Sequence, residues 1–176
     1  MKTRTIIDKI NTAIKKFIAS EKDILVRKLN ERTLSNRLTD YLRPLFNDYN
    51  VESEYNGDMD KPNDRKALEI ARNKIIEIGY KPNTRNNYKI TPDIIIHIRN
   101  TNTQNLVVIE VKKDISPKND KRFDLIKLQH LTINYEGNHY NYKIGIAIIL
   151  GTGKKAGEVE IFYYQNGNRV EEQNLL

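Results

Sequence analysis

The sequence predicts a mixed α/β domain, a β-sheet with helices packed against it, and three observations carry that prediction. Runs rich in Ile and Val stand at 94–98, 106–111 and 142–150, with the composition and length of central strands. Apolar residues recur at helical spacing through the first 45 positions. The order is helices, strand, helix, two strands, helix, strand, strand, which suits helices laid on a mixed sheet. At 176 residues the chain forms one domain, 1–176.

Taken in order, residues 3–19 read as an amphipathic helix through Ile6, Ile10, Ala13 and Phe17. Ser20 with Asp23 three residues later reads as a cap opening a second helix. After a break and new cap at Asn30, a stripe of Leu34, Leu38, Tyr41, Leu42 and Leu45 continues until Pro44 and Asn47 end it. Glu31 falls on that stripe, where a carboxylate is unexpected. Val51–Asn56 alternates like a strand and Asn56-Gly57 signals a turn. Residues 57–63 form a polar loop, and Asp64 caps an expected helix over 64–78 with Leu68, Ala71, Ile75 and Ile78 on one face. The polar loop KPNTRNNYK, containing Arg85, has basic and amide groups suited to phosphate contact. A helix is expected at 120–134, a flexible connection at Gly151–Gly157 and a last strand at Val159–Tyr164, before a polar tail.

Composition removes several function classes. The absence of cysteine excludes disulfides, thiolate zinc sites and cysteine nucleophiles. No stretch approaches the roughly 20 apolar residues that span a bilayer, so no membrane partner is expected. The N-terminus lacks the continuous apolar region of a secretory signal, and a cytoplasmic location is the default expectation. The net charge is +7 and unevenly spread. Residues 1–50 hold 11 basic and 6 acidic side chains, 51–60 hold four acids and no base, and 61–90 hold 8 basic and 3 acidic. Two basic blocks are compatible with a polyanionic partner, and equally with a solvated Lys- and Asn-rich surface.

The chemistry concentrates in TPDIIIHIRNTNTQNLVVIEVKK, residues 91–113. Pro92-Asp93 opens one strand, and Glu110 and Lys112 stand two apart near the end of the next. They therefore share a face, about 6.6 Å apart along the strand. If the strands form a hairpin, Asp93 lies across from Glu110 at about 4.8 Å interstrand spacing. Two carboxylates at about 5 Å repel by roughly 3 kcal/mol at an effective dielectric near 20. A hard divalent cation compensates, since Mg²⁺ is held by one or two carboxylates plus water and phosphate. The backbone carbonyl of Val111 is a further candidate ligand, and Lys112 stands where it could orient or deprotonate water or neutralise charge on phosphorus.

The Pro-Asp at a strand edge, the hydrophobic strand ending Glu110-Val111-Lys112 and the upstream acid Glu31 resemble the PD-(D/E)XK nuclease superfamily. That group includes restriction endonucleases and Holliday junction resolvases. The resemblance implies a restriction endonuclease-like α-β-β-β-α-β core with a central mixed β-sheet flanked by helices, covering about 31–150. Residues 1–30 are then an N-terminal helical extension, 64–78 an inserted helix and 159–164 a C-terminal strand. By position it implies Asp93 and Glu110 as metal ligands, Lys112 as the catalytic lysine and Glu31 as an assisting acid. Lys127 or Gln129 falls where some members place a further polar residue, and Glu54 is another auxiliary candidate. The implied activity is Mg²⁺-dependent phosphodiester hydrolysis, with Mn²⁺ able to substitute, on DNA ahead of RNA and as an endonuclease ahead of an exonuclease. Cutting both strands calls for a homodimer. Lys113, Arg85, Lys154 and Lys155 are the expected nucleic-acid contacts.

Plainer readings stand beside these. Asp93 could be a turn residue, Glu31 a helix-start acid favoured by the dipole, and Glu110 with Lys112 an exposed cross-strand pair. His97 reads as a core histidine. Gly151-Thr-Gly-Lys-Lys lacks the residues of a phosphate-binding loop, with Ile148 and Lys155 at the key positions, and reads as a hinge or hairpin turn. Tyr135, Tyr140, Tyr142, Tyr163 and Tyr164 could stack on bases but as scattered tyrosines read as half-buried packing. The alternative function is a catalytically inactive nucleic-acid-binding or regulatory module.

Overall fold

The computed structural model describes residues 1–58, 65–135 and 138–172. Most of the 57–63 loop and the Asp64 cap lie outside them. The chain folds into a six-stranded mixed sheet with helices on both faces, plus a small two-stranded sheet. The large sheet has the order β1 (Asn50–Ser53), β4 (Ile94–His97), β5 (Asn105–Lys113), β6 (Ile144–Leu150), β7 (Val159–Gln165), β8 (Asn168–Val170). All neighbours are antiparallel except β5 and β6, which run parallel and are joined by α5 (Lys118–Leu131). A parallel pair needs such a crossover, and the Ile/Val runs form its centre because both faces are covered.

The two faces bury different partners. Ile94, Ile96, Val107, Ile109, Val111, Ile144, Ile146 and Ile148 pack with α1 (Thr3–Ser20), α2 (Lys22–Val26) and α3 (Glu31–Leu42). Alternation sends Ile95, Val108 and Ala147 to the opposite face, with Leu128 and Leu131 of α5. Val108 therefore shares its face with Glu110 and Lys112, which project toward α5. Asn30 caps α3, its Oδ1 accepting from Thr33 N at 2.8 Å, as the break in the helical stripe predicts.

Several expectations are corrected. The helix over 64–78 is instead β2 (Ala67–Glu69) followed by α4 (Arg72–Glu77), and Leu68 lies in a strand. The loop KPNTRNNYK contributes β3 (Asn87–Lys89), which pairs with β2. Leu68 and Ile75 are both buried, but one through a strand and the other through a helix. Ser20 does not open α2, because α1 runs through it. Glu21 instead pairs with Arg37 and accepts from Tyr41 Oη at 2.9 Å. The tail carries β8, turned by Asn166-Gly167 with φ of 51° and 75°, the left-handed pair that closes a two-residue hairpin. Within the N-terminal extension, Ile6, Ile7, Ile10, Ala13 and Phe17 are fully buried in the main hydrophobic core.

Candidate functional site

The site lies where β5 emerges between β4 and β6, at their common end. Ile94 pairs with Ile109, so one step further along the ladder Asp93 stands opposite Glu110. Asp93 Oδ2 accepts from Val111 N at 2.7 Å. It is therefore more than a turn residue: its carboxylate ties the mouth of β4 to β5. Because a strand residue's N–H and C=O project to the same edge, the Val111 carbonyl faces this side as well. Glu110 is 1% exposed and Lys112 projects beside it, which removes the exposed cross-strand reading.

α5 completes the site with two charged residues. Lys127 Nζ lies 2.9 Å from Glu110 Oε2 and 2.7 Å from Asp124 Oδ1. Lys112 Nζ lies 2.9 Å from Asp124 Oδ2 and 3.1 Å from Glu31 Oε2. Asp124 thus divides its two oxygens between two lysines. From α3, Glu31 also accepts from Ser116 Oγ and, at 3.5 Å, from Lys113 N. The result is a chain of alternating charge, Glu110–Lys127–Asp124–Lys112–Glu31, with Asp93 beside its first member. Four carboxylates and two ammonium groups leave a formal deficit of two positive charges.

The electrostatics follow from burial. Desolvation raises the Glu110 pKa well above the ordinary carboxylate range, with Lys127 opposing and Asp124 and Asp93 adding to the rise. Asp93 is raised for the same first reason, against the Val111 N–H and Lys112. For Glu31, burial is outweighed by Ser116 and Lys112, and the pKa is lowered. Burial alone would depress both lysines, but the carboxylates prevail. Lys112 is raised by Asp124, Asp93 and Glu31, and Lys127 by Glu110 and Asp124. Both are ammonium ions at neutral pH.

Room for a metal is limited. Among the described residues no group of three or more His, Cys, Asp or Glu side chains converges to hold a metal ion. The carboxylates are interleaved with lysines instead, so the repulsion between Asp93 and Glu110 is already partly met by Lys127. Glu110 Oε1, however, is buried with no hydrogen-bond partner. A void of about 20 Å³, space for about one water, touches Glu110 on the side of Lys112, Lys121, Asp124 and Ala147, away from Asp93, which does not line it. Asp93, Glu110 and the Val111 carbonyl are an all-oxygen donor set of the kind Mg²⁺ takes together with water and phosphate. On the orphaned oxygen and the donor chemistry, the residues fit a hard divalent cation.

The other candidates divide. Lys127 belongs to the cluster. Gln129 lines a separate cleft with Lys74 and Arg122, and Glu54 pairs with Arg32 at 2.7 Å nearer the surface. Arg85 lies with Asn83, Asn87 and Lys89 around an open cleft that none of the cluster residues lines. Lys113 borders an open cleft with Asn30, Glu31 and Ser116. Lys154 and Lys155 are exposed in a 3₁₀ turn, Gly153–Lys155, just beyond β6. Thr152 anchors that turn, donating to Asp114 Oδ1 through N at 3.0 Å and Oγ1 at 2.8 Å, so the segment is held and not a free hinge. Lys113 and the two lysines thus rim the same end of the parallel pair. His97 pairs instead with Glu52, Nε2 to Oε2 at 2.6 Å. Tyr140, Tyr142, Tyr163 and Tyr164 are at most 3% exposed, which leaves Tyr135 as the accessible one of the five tyrosines. Asp124 and Ser116 are the site residues the sequence reading missed.

Compared with known proteins, the chain matches no protein-family model, no curated protein and no solved structure. No helix among the described residues is long and apolar enough to cross a membrane.

Proposed function

We propose that the chain is a metal-dependent nuclease of the PD-(D/E)XK type, hydrolysing phosphodiester bonds in DNA ahead of RNA. The observation that carries it is the placement of Asp93 opposite Glu110 with Lys112 alongside, one Glu110 oxygen being buried and unpartnered. The order α3–β1–β4–β5–α5–β6, with β5 and β6 parallel, supports the restriction endonuclease-like core. Asp93, Glu110 and the Val111 carbonyl would hold Mg²⁺, or Mn²⁺ in its place. When bound, the ion supplies Lewis acidity at a phosphoryl oxygen and lowers the pKa of water. Lys112, held as an ammonium between Asp124 and Glu31, stabilises negative charge building on phosphorus and is not the proton acceptor. Glu31, ionised and fixed by Ser116, orients that lysine at the cleft it shares with Lys113. Lys113, Lys154 and Lys155 supply positive charge for the phosphate backbone on the accessible rim.

The test is cleavage of plasmid, branched DNA and RNA with Mg²⁺ or Mn²⁺, comparing wild type with Lys112→Ala. Expected is metal-dependent cutting that falls roughly 100-fold or more in the variant. Equal inertness of both proteins on every substrate with both metals rules the nuclease out. One observation favours a second reading, an inactive nucleic-acid-binding module: Lys127 already neutralises part of the acid pair. On that reading binding is steeply salt-dependent and indifferent to chelator.

A further inference from the structure

Resting on the nuclease reading, we propose that Lys127 is a resident cation in the metal seat, and that Asp124 is the counter-seat that receives it when a divalent ion binds. Lys127 is a positioning residue under this proposal, and so is Asp124. Three observations lead there.

The first is the geometry of Lys127. Its ammonium sits within ion-pair distance of two carboxylates at once, Glu110 at 2.9 Å and Asp124 at 2.7 Å. Glu110 is the proposed metal ligand and Asp124 sits on the same helix one turn back, so the lysine can leave Glu110 without losing its other partner. Releasing a buried ammonium with no counter-ion would be costly, and Asp124 removes that obstacle.

The second is space. The void that touches Glu110, about 20 Å³ and near the size of a single water, lies on its Lys112, Lys121, Asp124 and Ala147 side and is lined by neither Lys127 nor Asp93. Mg²⁺ and Mn²⁺ keep several waters or phosphate oxygens, and that void cannot hold them. The ammonium of Lys127, 2.9 Å from Glu110 Oε2, stands where part of such a shell would have to go, and it is carried on a flexible stem.

The third is charge. The cluster lacks two positive charges for neutrality, so an arriving divalent ion balances it with Lys127 retained on Asp124. A second cation held beside the metal opposes it, while a lysine drawn away on Asp124 opposes it less. The Lys127–Asp124 pair therefore sets how tightly the metal is held, without contacting it.

The test is Mn²⁺ binding to the full chain at mildly alkaline pH, without nucleic acid, read from the electron paramagnetic resonance signal of free Mn²⁺. Lys127→Met is expected to bind Mn²⁺ roughly tenfold tighter or more than wild type, since the opposing charge is gone. Asp124→Asn is expected to bind more weakly, since the lysine loses its counter-seat and stays on Glu110. In the Lys127→Met background, Asp124→Asn is expected to change the affinity little. Opposite signs for the two single variants are what a merely structural role cannot produce, as loss of packing weakens both. Far-UV circular dichroism in EDTA checks folding; should Lys127→Met not fold, Lys127→Gln, which removes the charge but keeps a hydrogen-bond donor, carries the same expectation at smaller amplitude. Equal or weaker Mn²⁺ binding by the folded Lys127 variant, with Glu110→Gln abolishing it, overturns this proposal and leaves the nuclease reading standing. If wild type binds no Mn²⁺, or Glu110→Gln binds it as well as wild type, the metal reading fails and this proposal with it.

Discussion

A buried carboxylate such as Glu110 is tolerated only in company, and its company comes from α5 as much as from the strands. Glu31 was legible because a charged residue interrupted a leucine stripe. The same signal was present in α5, where Asp124 and Lys127 share the face of Leu128 and Leu131 at spacings of three, four and seven; all four are buried. Lys127 stands out by its position after the motif, but Asp124 does not, because that helix carries charge on every side. Sequence also could not show that Lys127 would take the place beside Glu110 that electrostatics reserves for a cation. Another residue of α5 gives a pH prediction. Burial, with Lys74 nearby, lowers the His130 pKa to about 4, and Tyr135 Oη lies 2.6 Å from its Nδ1. A histidine with a depressed folded-state pKa stabilises the fold above its unfolded value of about 6.5, and that stability is lost as pH falls toward 4. Urea denaturation of wild type should show a falling midpoint from neutral pH to about pH 4, and His130→Leu should show a shallower fall. Parallel curves would mean that His130 is not the group responsible.

Elements differ in how plainly they announce themselves. β4, β5 and β6 were legible because strands covered on both faces must be apolar throughout. β2 and β3 are three residues each, too short for any period to register, and Leu68, Ile75 and Ile78 happened to fit a helical one. β8 carries a signal in the Asn166-Gly167 turn, but its strand of three residues is too short to show any alternation. Asn30 is an element boundary with two consequences: it caps α3 and fixes where Glu31 begins. Asn30→Ala should cost about 1 kcal/mol, a fall of roughly 2–4 °C in melting temperature for a chain of this size, and an unchanged melting curve would show that the cap is dispensable. Gly151, at the end of β6, is under a tighter constraint. A Cβ there would stand 2.2 Å from the Lys155 carbonyl oxygen, so Gly151→Ala must push the 3₁₀ turn aside. We expect a loss of roughly 1–3 kcal/mol and, on the proposed nuclease reading, weaker DNA retention as Lys154 and Lys155 leave the rim; calorimetry and a salt-titrated binding assay read the two effects.

At the level of the whole molecule, the N-terminal helical extension, residues 1–30, is the part whose weight in the fold the sequence shows least. A helix preceding a recognisable core looks like an addition when the apolar face it covers cannot be seen. In the folded chain Ile6, Ile10 and Phe17 of α1 are fully buried in the core that the sheet and α3 share. Phe17→Ala should therefore cost about 3–5 kcal/mol, and a chain starting at residue 31 should fail to fold. Cooperative melting of that shortened chain at the wild-type temperature would overturn the point. The position of α1 bears on how the protein is made. That helix shares its core with Ile144, Ile146, Ile148, Leu150 and Tyr163, and Asn11 Nδ2 donates to Glu172 Oε1 at 2.9 Å. α1 is thus synthesised well over a hundred residues ahead of β6 and β7, and its isoleucines wait uncovered until those strands emerge. At 5–20 residues per second, that interval is of order ten seconds, the period in which a nascent chain most needs a chaperone.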